Sequence, residues 1–216
     1  YLQKRCGLTD ELLTEQEQIQ QLKNWLKQYG PTIILGVLLA ILVTTGWQYW
    51  QNHQNKVLSK ASIVYDEMLT AKSQSNSQMS TDRAKKLLQD FPKTPYAQMA
   101  ALQLAQIAIQ SKNYPDAEHQ LNWVMDHSKN SAVREIARIR LARLFIGEKK
   151  PNDAIKTLST VDNKNFIGLI NEVKGDAYLA LNDTKVARDH YQLALSEIPN
   201  AEVARPTLQM KFDNLS

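Results

Sequence analysis

Apolar positions along this chain fall into two regimes. From Pro31 to Trp50 they run almost unbroken (PTIILGVLLAILVTTGWQYW), and no charged side chain stands between Lys27 and Lys56. From residue 57 onward they recur at helical spacing, in short stretches broken by polar turns, without the alternation that a strand needs. The strictly apolar centre of the first regime, Ile33–Val43, is only 11 residues, a length that also suits a buried core helix. Its flanks argue for a membrane span. Thr32, Thr44 and Thr45 can return their hydroxyls to the preceding turn, and Gly36 and Gly46 are tolerated in membrane helices. Trp25 and Tyr29 stand on one side and Trp47, Tyr49 and Trp50 on the other. Tyr29 to Trp47 is 18 steps, or about 27 Å of helix, close to the hydrocarbon thickness. Aromatics at that separation read as two interfacial belts. Pro31 suits the first turn of the span, where its missing N–H costs nothing. A core helix and a cleaved signal peptide are the alternatives. The second is disfavoured by the mixed-charge segment before the run and by the lack of a small-x-small site after it.

Residues 1–24 are polar, with Leu12, Leu13, Ile19 and Leu22 scattered among them. Thr14 followed by Glu17 resembles a capping box, opening a helix through Gln28 that can continue into the span. The expected organisation is therefore a tail and juxtamembrane helix over 1–30, a transmembrane helix over 31–50 and a helical domain over 51–216.

Within that domain the pattern predicts helices over 57–72, 80–91, 95–110, 114–127, 131–147, 151–160, 166–181, 184–196 and 201–213. The fold class expected is all-α, one N-terminal transmembrane helix followed by a tetratricopeptide-like solenoid. The last repeat is the clearest: Gly175, Tyr178, Ala187, Tyr191, Ala194 and Pro199 follow the spacing of one such unit. Gly175 lets the first helix approach the second, Ala187 fills the facing position, and Tyr178 and Tyr191 fill the space around it. Ala194 permits contact with the next unit, and Pro199 stops the helix. Looser copies carry Leu104, Ala105, Ala108, Ala117, Leu121 and Val124, then Leu141, Ala142, Phe145, Ala154, Leu158 and Val161. Ala117, Ala154 and Ala187 are spaced by 37 and 33 residues, and Ala84 stands 33 before Ala117. Val203, Leu208, Met210 and Phe212 are expected to cover the last repeat from a capping helix that starts late or bends at Pro206.

Charge changes little in this picture. The chain of 216 residues holds 26 Lys and Arg against 22 Asp and Glu, and the excess of +4 lies beyond Trp50. So small a surplus does not suggest a nucleic-acid binder. Lys23 and Lys27 before the span balance Lys56 and Lys60 after it, so local charge leaves the orientation open. In the segment Arg134–Lys150, Arg134 and Arg138 project roughly opposite Arg140 and Arg143, as solvated flanks of a core helix rather than one basic stripe.

The one cysteine, Cys6, lies outside the helical domain and has no partner for a disulfide, which does not exclude an oxidising compartment. His53, His119, His127 and His190 form no metal-ligand spacing, and there is no glycine-rich phosphate loop. No catalytic, cofactor or metal site is expected. An interaction module leads, because a helical solenoid presents an extended surface for protein contact. An enzyme with an unrecognised site and a plain membrane tether are the other classes.

Longer features then invite a family comparison. They are Gly46-Trp47 with Tyr49-Trp50 closing the span, Ala61 and Tyr65, Tyr96-Ala97 with Leu102 and Leu104-Ala105, Ile139 to Arg143, Lys174 to Tyr178, and Met210-Lys211 with Asn214-Leu215. In this order the sequence resembles the YfgM family, the ancillary subunit of the bacterial Sec translocon. The Ser/Gln-rich stretch 73–80 stands as a loop variation. The resemblance implies a single-pass inner-membrane protein with a cytoplasmic N-terminus and a periplasmic domain. It implies SecYEG and the membrane-anchored periplasmic chaperone PpiD as partners, with unfolded secreted chains as possible clients. The implied work is non-catalytic, handing translocated chains to periplasmic chaperones.

Overall fold

The computed structural model describes residues 15–160, 163–197 and 204–215. By its internal contacts the chain divides into two units, 1–56 and 57–216. The first helix, α1 (Glu15–Ser73), contributes to both. Among the described residues there is no strand.

In the first unit α1 is helical from Glu15, so Pro31 lies inside it and not in a first turn. That corrects the sequence expectation. The juxtamembrane helix does run on past Gln28 into the span, as its sequence allowed, and the proline simply removes one i→i−4 hydrogen bond, the one to the Lys27 carbonyl. Apolar helices at membrane interfaces tolerate such a loss. Thr14 lies outside the described residues. Thr44 Oγ1 donates to the Ala40 carbonyl at 2.9 Å and Thr45 Oγ1 to the Ile41 carbonyl at 2.7 Å, so neither hydroxyl is left as a bare polar group.

The second unit is built of helix hairpins. The end of α1 pairs with α2 (Ser77–Asp90), α3 (Pro95–Gln110) with α4 (Tyr114–His127), and α5 (Ser131–Gly147) with α6 (Pro151–Thr157). A 3₁₀ turn at Lys164–Phe166 leads into α7 (Ile167–Ala180), which pairs with α8 (Thr184–Glu197), and α9 (Ala204–Asp213) follows. Two expectations shift. The helix α2 begins at Ser77 because Asn76 Oδ1 accepts the Met79 N–H at 3.0 Å, so the expected Ser/Gln-rich loop shrinks to a tight turn. The helix α6 ends at Thr157, three residues early.

The hairpin turns share one device. Ser75, Lys112, Lys149 and Asn182 all adopt left-handed backbone, with φ between 58° and 62°. The next N–H reaches five residues back in each case: Asn76 to Ala71 at 2.9 Å, Asn113 to Ala108 at 2.8 Å, Lys150 to Phe145 at 2.8 Å and Asp183 to Tyr178 at 3.0 Å. This is the Schellman closure of a helix C-terminus, made here without glycine. Three of the four following residues then cap the second helix through a side chain, Asn76, Asn113 and Asp183. Lys150 cannot, so α6 is the one second helix of these four hairpins without a side-chain cap.

Each hairpin buries small and large apolar residues at helical spacing. Ala61, Val64 and Met68 pack with Ala84, Leu87, Ala97, Ala100 and Leu104. A second cluster joins Ala101, Ala105 and Ala108 to Ala117, Leu121, Val124, Ala137 and Leu141. The third joins Ile139 and Ala142 to Ala154, Leu158, Ile170, Val173 and Ala177, and the fourth joins Ala187, Tyr191 and Ala194 to Leu208. Phe145 packs against the second and third clusters alike, as a neighbour-to-neighbour solenoid requires. On α9, Leu208 is buried, and Phe212 and Leu215 pack beside it. Met210 is 64% exposed, against expectation, because it lies two residues from Leu208 and so on the other side of the helix. Pro206 is the third residue of α9, inside its first turn; Val161, Pro199 and Val203 lie outside the described residues.

Candidate protein-interaction site

The positions singled out as repeat residues are gathered pairwise at helix crossings. Ala105 and Ala117 share one buried cluster, and Ala142 and Ala154 another. Gly175 faces Tyr191. A Cβ built on Gly175 would lie 2.6 Å from Tyr191 Cδ1 and 3.1 Å from Cζ, which leaves the phenol ring no room for any side chain there. Ala187 and Ala194, on either side of Tyr191 in α8, are fully buried. Tyr178 is only half-buried and stacks on His190, with centroids 5.2 Å apart and planes at 9°. It therefore covers the crossing rather than filling it.

Around Tyr191 the polar groups converge. Its hydroxyl donates to Asp176 Oδ1 at 2.8 Å. Lys211 of α9 donates to Asp176 Oδ1 and Oδ2 at 2.8 and 2.9 Å and to Glu172 Oε1 at 2.8 Å. Burial first, then the bond to Asp176 and the nearby carboxylates, pushes the Tyr191 phenol far above its ordinary value. For Lys211 burial alone would lower the pKa, but the hydrogen bonds to Asp176 and Glu172 outweigh it and raise the ammonium above its ordinary value. Both protons are thus locked at neutral pH, and the cluster works as a latch for the last helix. Arg188 adds a cation–π contact, 4.5 Å over the Phe212 ring. His190 donates or accepts through Nδ1 at 3.1 Å from Asn171 Oδ1, according to tautomer.

A second polar centre escaped sequence reading. Glu135 is fully buried in α5 and accepts Arg138 Nη1 at 2.6 Å and the Asn163 N–H at 3.3 Å. Arg134 Nη1 donates to the Ser128 carbonyl at 3.0 Å. So Arg134 and Arg138 are not solvated flanks. They and Glu135 tie α5 to the chain on both sides of it. The signal was present, because Glu135 stands four and seven residues before Ile139 and Ala142 on one apolar stripe. Arg140 and Arg143, on the opposite face as expected, are exposed. With Ile109, Tyr114, Leu144 and Gly147 they line a mainly apolar cavity of about 340 Å³.

In the first unit, Trp25, Tyr29, Trp47, Tyr49 and Trp50 are all exposed, between 47% and 78%. Trp25 packs on Tyr29 at 5.8 Å and Trp47 on Trp50 at 5.5 Å, so the aromatics form two separate pairs along the helix. Among the described residues α1 is the one helix long and apolar enough to cross a membrane. No group of three or more His, Cys, Asp or Glu side chains placed to hold a metal ion occurs among them.

A family model described as a tetratricopeptide repeat-like domain matches residues 23–216. An ancillary SecYEG translocon subunit of Neisseria gonorrhoeae is 31% identical over 205 residues, covering 94% of this chain and 98% of the relative. Proteins of the same name from Haemophilus influenzae and Escherichia coli are 28% and 27% identical over 203 and 202 residues, covering 94% of this chain and 98% and 97% of theirs. The chain belongs to the ancillary SecYEG translocon subunit family. The match of the family model begins before Trp25, so the exposed apolar helix is as much a family feature as the repeats.

Proposed function

We propose that the chain is a single-pass protein of the bacterial inner membrane, with residues 1–30 cytoplasmic, 31–50 spanning and 51–216 in the periplasm. It serves as a non-catalytic scaffold beside the SecYEG translocon and helps pass translocated, still unfolded chains to periplasmic chaperones. The membrane-anchored chaperone PpiD is its best partner candidate. The observation that carries this reading is the exposed apolar length of α1. From Ile33 to Val43 its large apolar side chains are 45% to 69% exposed. So much contiguous apolar surface is not stable in water, and lipid or the spans of a membrane partner would cover it. Membership of the family supplies the expected company, and the hairpins supply the surface for it. Two tethered partners search a surface rather than a volume, so a modest intrinsic affinity suffices.

Orientation rests on the resemblance alone. It is tested in a Cys6-free background with cysteines at Gln16 and Lys185 and a membrane-impermeant thiol reagent. Labelling at 185 and not at 16 is expected; the reverse refutes the periplasmic assignment. The functional reading is tested by crosslinking and co-purification from native membranes, using the full chain and a chimera with Pro31–Trp50 replaced by an unrelated span. Recovery of SecYEG or PpiD by the full chain is expected, and recovery of neither sinks the proposal. Gly36 meets no other atom within 4 Å of a built Cβ, and with Ala40 one turn on it offers a close-approach face to another membrane helix. Partner loss confined to the chimera would assign recognition to that face instead of the repeats.

A further inference from the structure

The cavity at the α3–α5 junction has a composition that the fold does not need. Ile109 lies in the last turn of α3 with 37% of its surface exposed, Tyr114 begins α4, and Leu144 lies on α5. Gly147, seven residues after Arg140 and four after Arg143, leaves the last position of α5 without a side chain. A Cβ there would meet nothing within 4 Å, so the glycine is not required by packing. Its backbone is not left-handed either, so it is not required by the turn. What the glycine does is keep the cavity open.

Two guanidinium groups, Arg140 and Arg143, border this apolar floor. Among the described residues neither has a carboxylate within ion-pair distance. This contrasts with Arg138 on the other side of the same helix, which is spent on Glu135. The left-handed turn residues Lys112 and Lys149 stand three and two positions beyond Ile109 and Gly147 and are exposed. The neighbouring acids do not reach these arginines: Glu148 Oε1 accepts Lys150 at 3.4 Å, and Asp116 Oδ1 accepts the neutral Gln120 Nε2 at 3.2 Å. The junction therefore combines an apolar recess with uncompensated positive charge. Guanidinium is weakly hydrated and forms paired bonds to carboxylates, so its preferred complement is an anionic group next to an apolar one.

We propose that this recess binds an acidic–apolar peptide segment of a partner protein, its apolar side chain on Ile109, Tyr114 and Leu144 and its carboxylates on Arg140 and Arg143. This rests on the scaffold reading above and adds the chemistry of the partner. A 340 Å³ recess admits one or two side chains, so the segment is short and the affinity modest.

The test uses the full chain in neutral detergent and a fluorescein-labelled DELFDE peptide, read by anisotropy. Binding is expected, with KKLFKK and DEGGDE binding at least about ten-fold more weakly. The double variant Arg140→Glu/Arg143→Glu should lose at least about ten-fold in affinity, and Lys185→Glu, elsewhere on α8, should lose little. Gly147→Leu starts from a helix position where a Cβ meets nothing within 4 Å, fills the recess and should also weaken binding while leaving the melting temperature equal or higher. Unchanged binding in either pocket variant overturns the proposal. So does equal binding of the acidic and basic peptides, or no binding of DELFDE up to millimolar peptide. The scaffold reading fails separately, when the unaltered full chain recovers neither translocon nor chaperone from membranes, whatever the peptide does.

Discussion

The third and fourth hairpins solve the same packing problem in opposite ways. In α7–α8 the crossing is a glycine against a buried tyrosine, and the phenol hydroxyl leaves the core through Asp176. In α5–α6 the crossing is alanine against alanine, Ala142 with Ala154, and α6 is half as long as α8, 7 residues against 14. A short, uncapped second helix buries less, and the polar work moves to α5, where the buried Glu135 holds Arg138 and the Asn163 backbone. One hairpin is thus held by shape and a phenol-to-carboxylate hydrogen bond between its helices, the other by shape and a buried carboxylate of α5 that reaches the chain beyond α6. The difference teaches where each is fragile: overpacking threatens the fourth, and loss of its buried carboxylate threatens the third.

The largest effect is expected at Gly175. With the tyrosine ring already where a Cβ would be, Gly175→Leu must displace Tyr191 and its bond to Asp176. We expect a loss of about 3 kcal/mol or more, beyond the usual overpacking range because a hydrogen bond goes with it. Thermal unfolding of the full chain in detergent, followed by far-UV circular dichroism, measures it. An unchanged melting temperature would show that the ring moves aside freely. Next is Glu135→Ala, which takes a fully buried carboxylate away from a guanidinium whose side chain is only 12% exposed. About 3 kcal/mol is expected. A double change of Glu135→Leu with Arg138→Met should recover much of it, and failure to do so would mean that the pair specifies the loop rather than neutralising itself.

A smaller effect belongs to the latch. Lys211→Met removes the shared ammonium from Asp176 and Glu172, and because 29% of the lysine side chain is exposed, solvent screening limits the cost to about 1 kcal/mol. Its specific signature is earlier hydrogen exchange in α9 than in α7. Lys150→Asn should raise stability by about 1 kcal/mol, because it supplies α6 with the cap that Asn113 gives α4. No change in melting temperature would mean that α6 is limited by packing and not by its N-terminus.

The smallest is a pH effect at His190. Burial, then Lys174, lowers its pKa from 6.5 against an opposing pull from Asp189. The unfolded chain therefore takes up this proton first. Stability is fully present above pH 6.5 and is lost as pH falls from there towards the lowered folded-state value. His190→Phe keeps an aromatic against Tyr178, so it should narrow the difference in melting temperature between about pH 7.5 and about pH 5.5. An identical difference in the variant would assign that pH dependence to other groups.

By itself the sequence determined the all-α class, the apolar helix and the hairpin order. These follow from periodicity and side-chain size, which are local. Spacing marked Gly175 as a close approach with Ala187 facing it, whereas the structure sets the Tyr191 ring against that glycine. Tertiary structure alone decided the rest. Asn182 reads as an ordinary exposed turn residue, yet its φ of 62° makes it a place where a branched or bulky side chain is strained. Pro31 reads as a helix start, yet the helix runs through it. Glu135 and Arg138 read as surface charges, and Arg140 and Arg143 as more of the same. Only the packing of α5 between its neighbours divides these charges into a buried pair and an exposed, unneutralised one. The physical reason is that charge carries no periodic signature of its own fate. Whether an ion is desolvated and paired depends on what lies across from it, and that is set by contacts about thirty residues apart, such as Asn163 with Glu135.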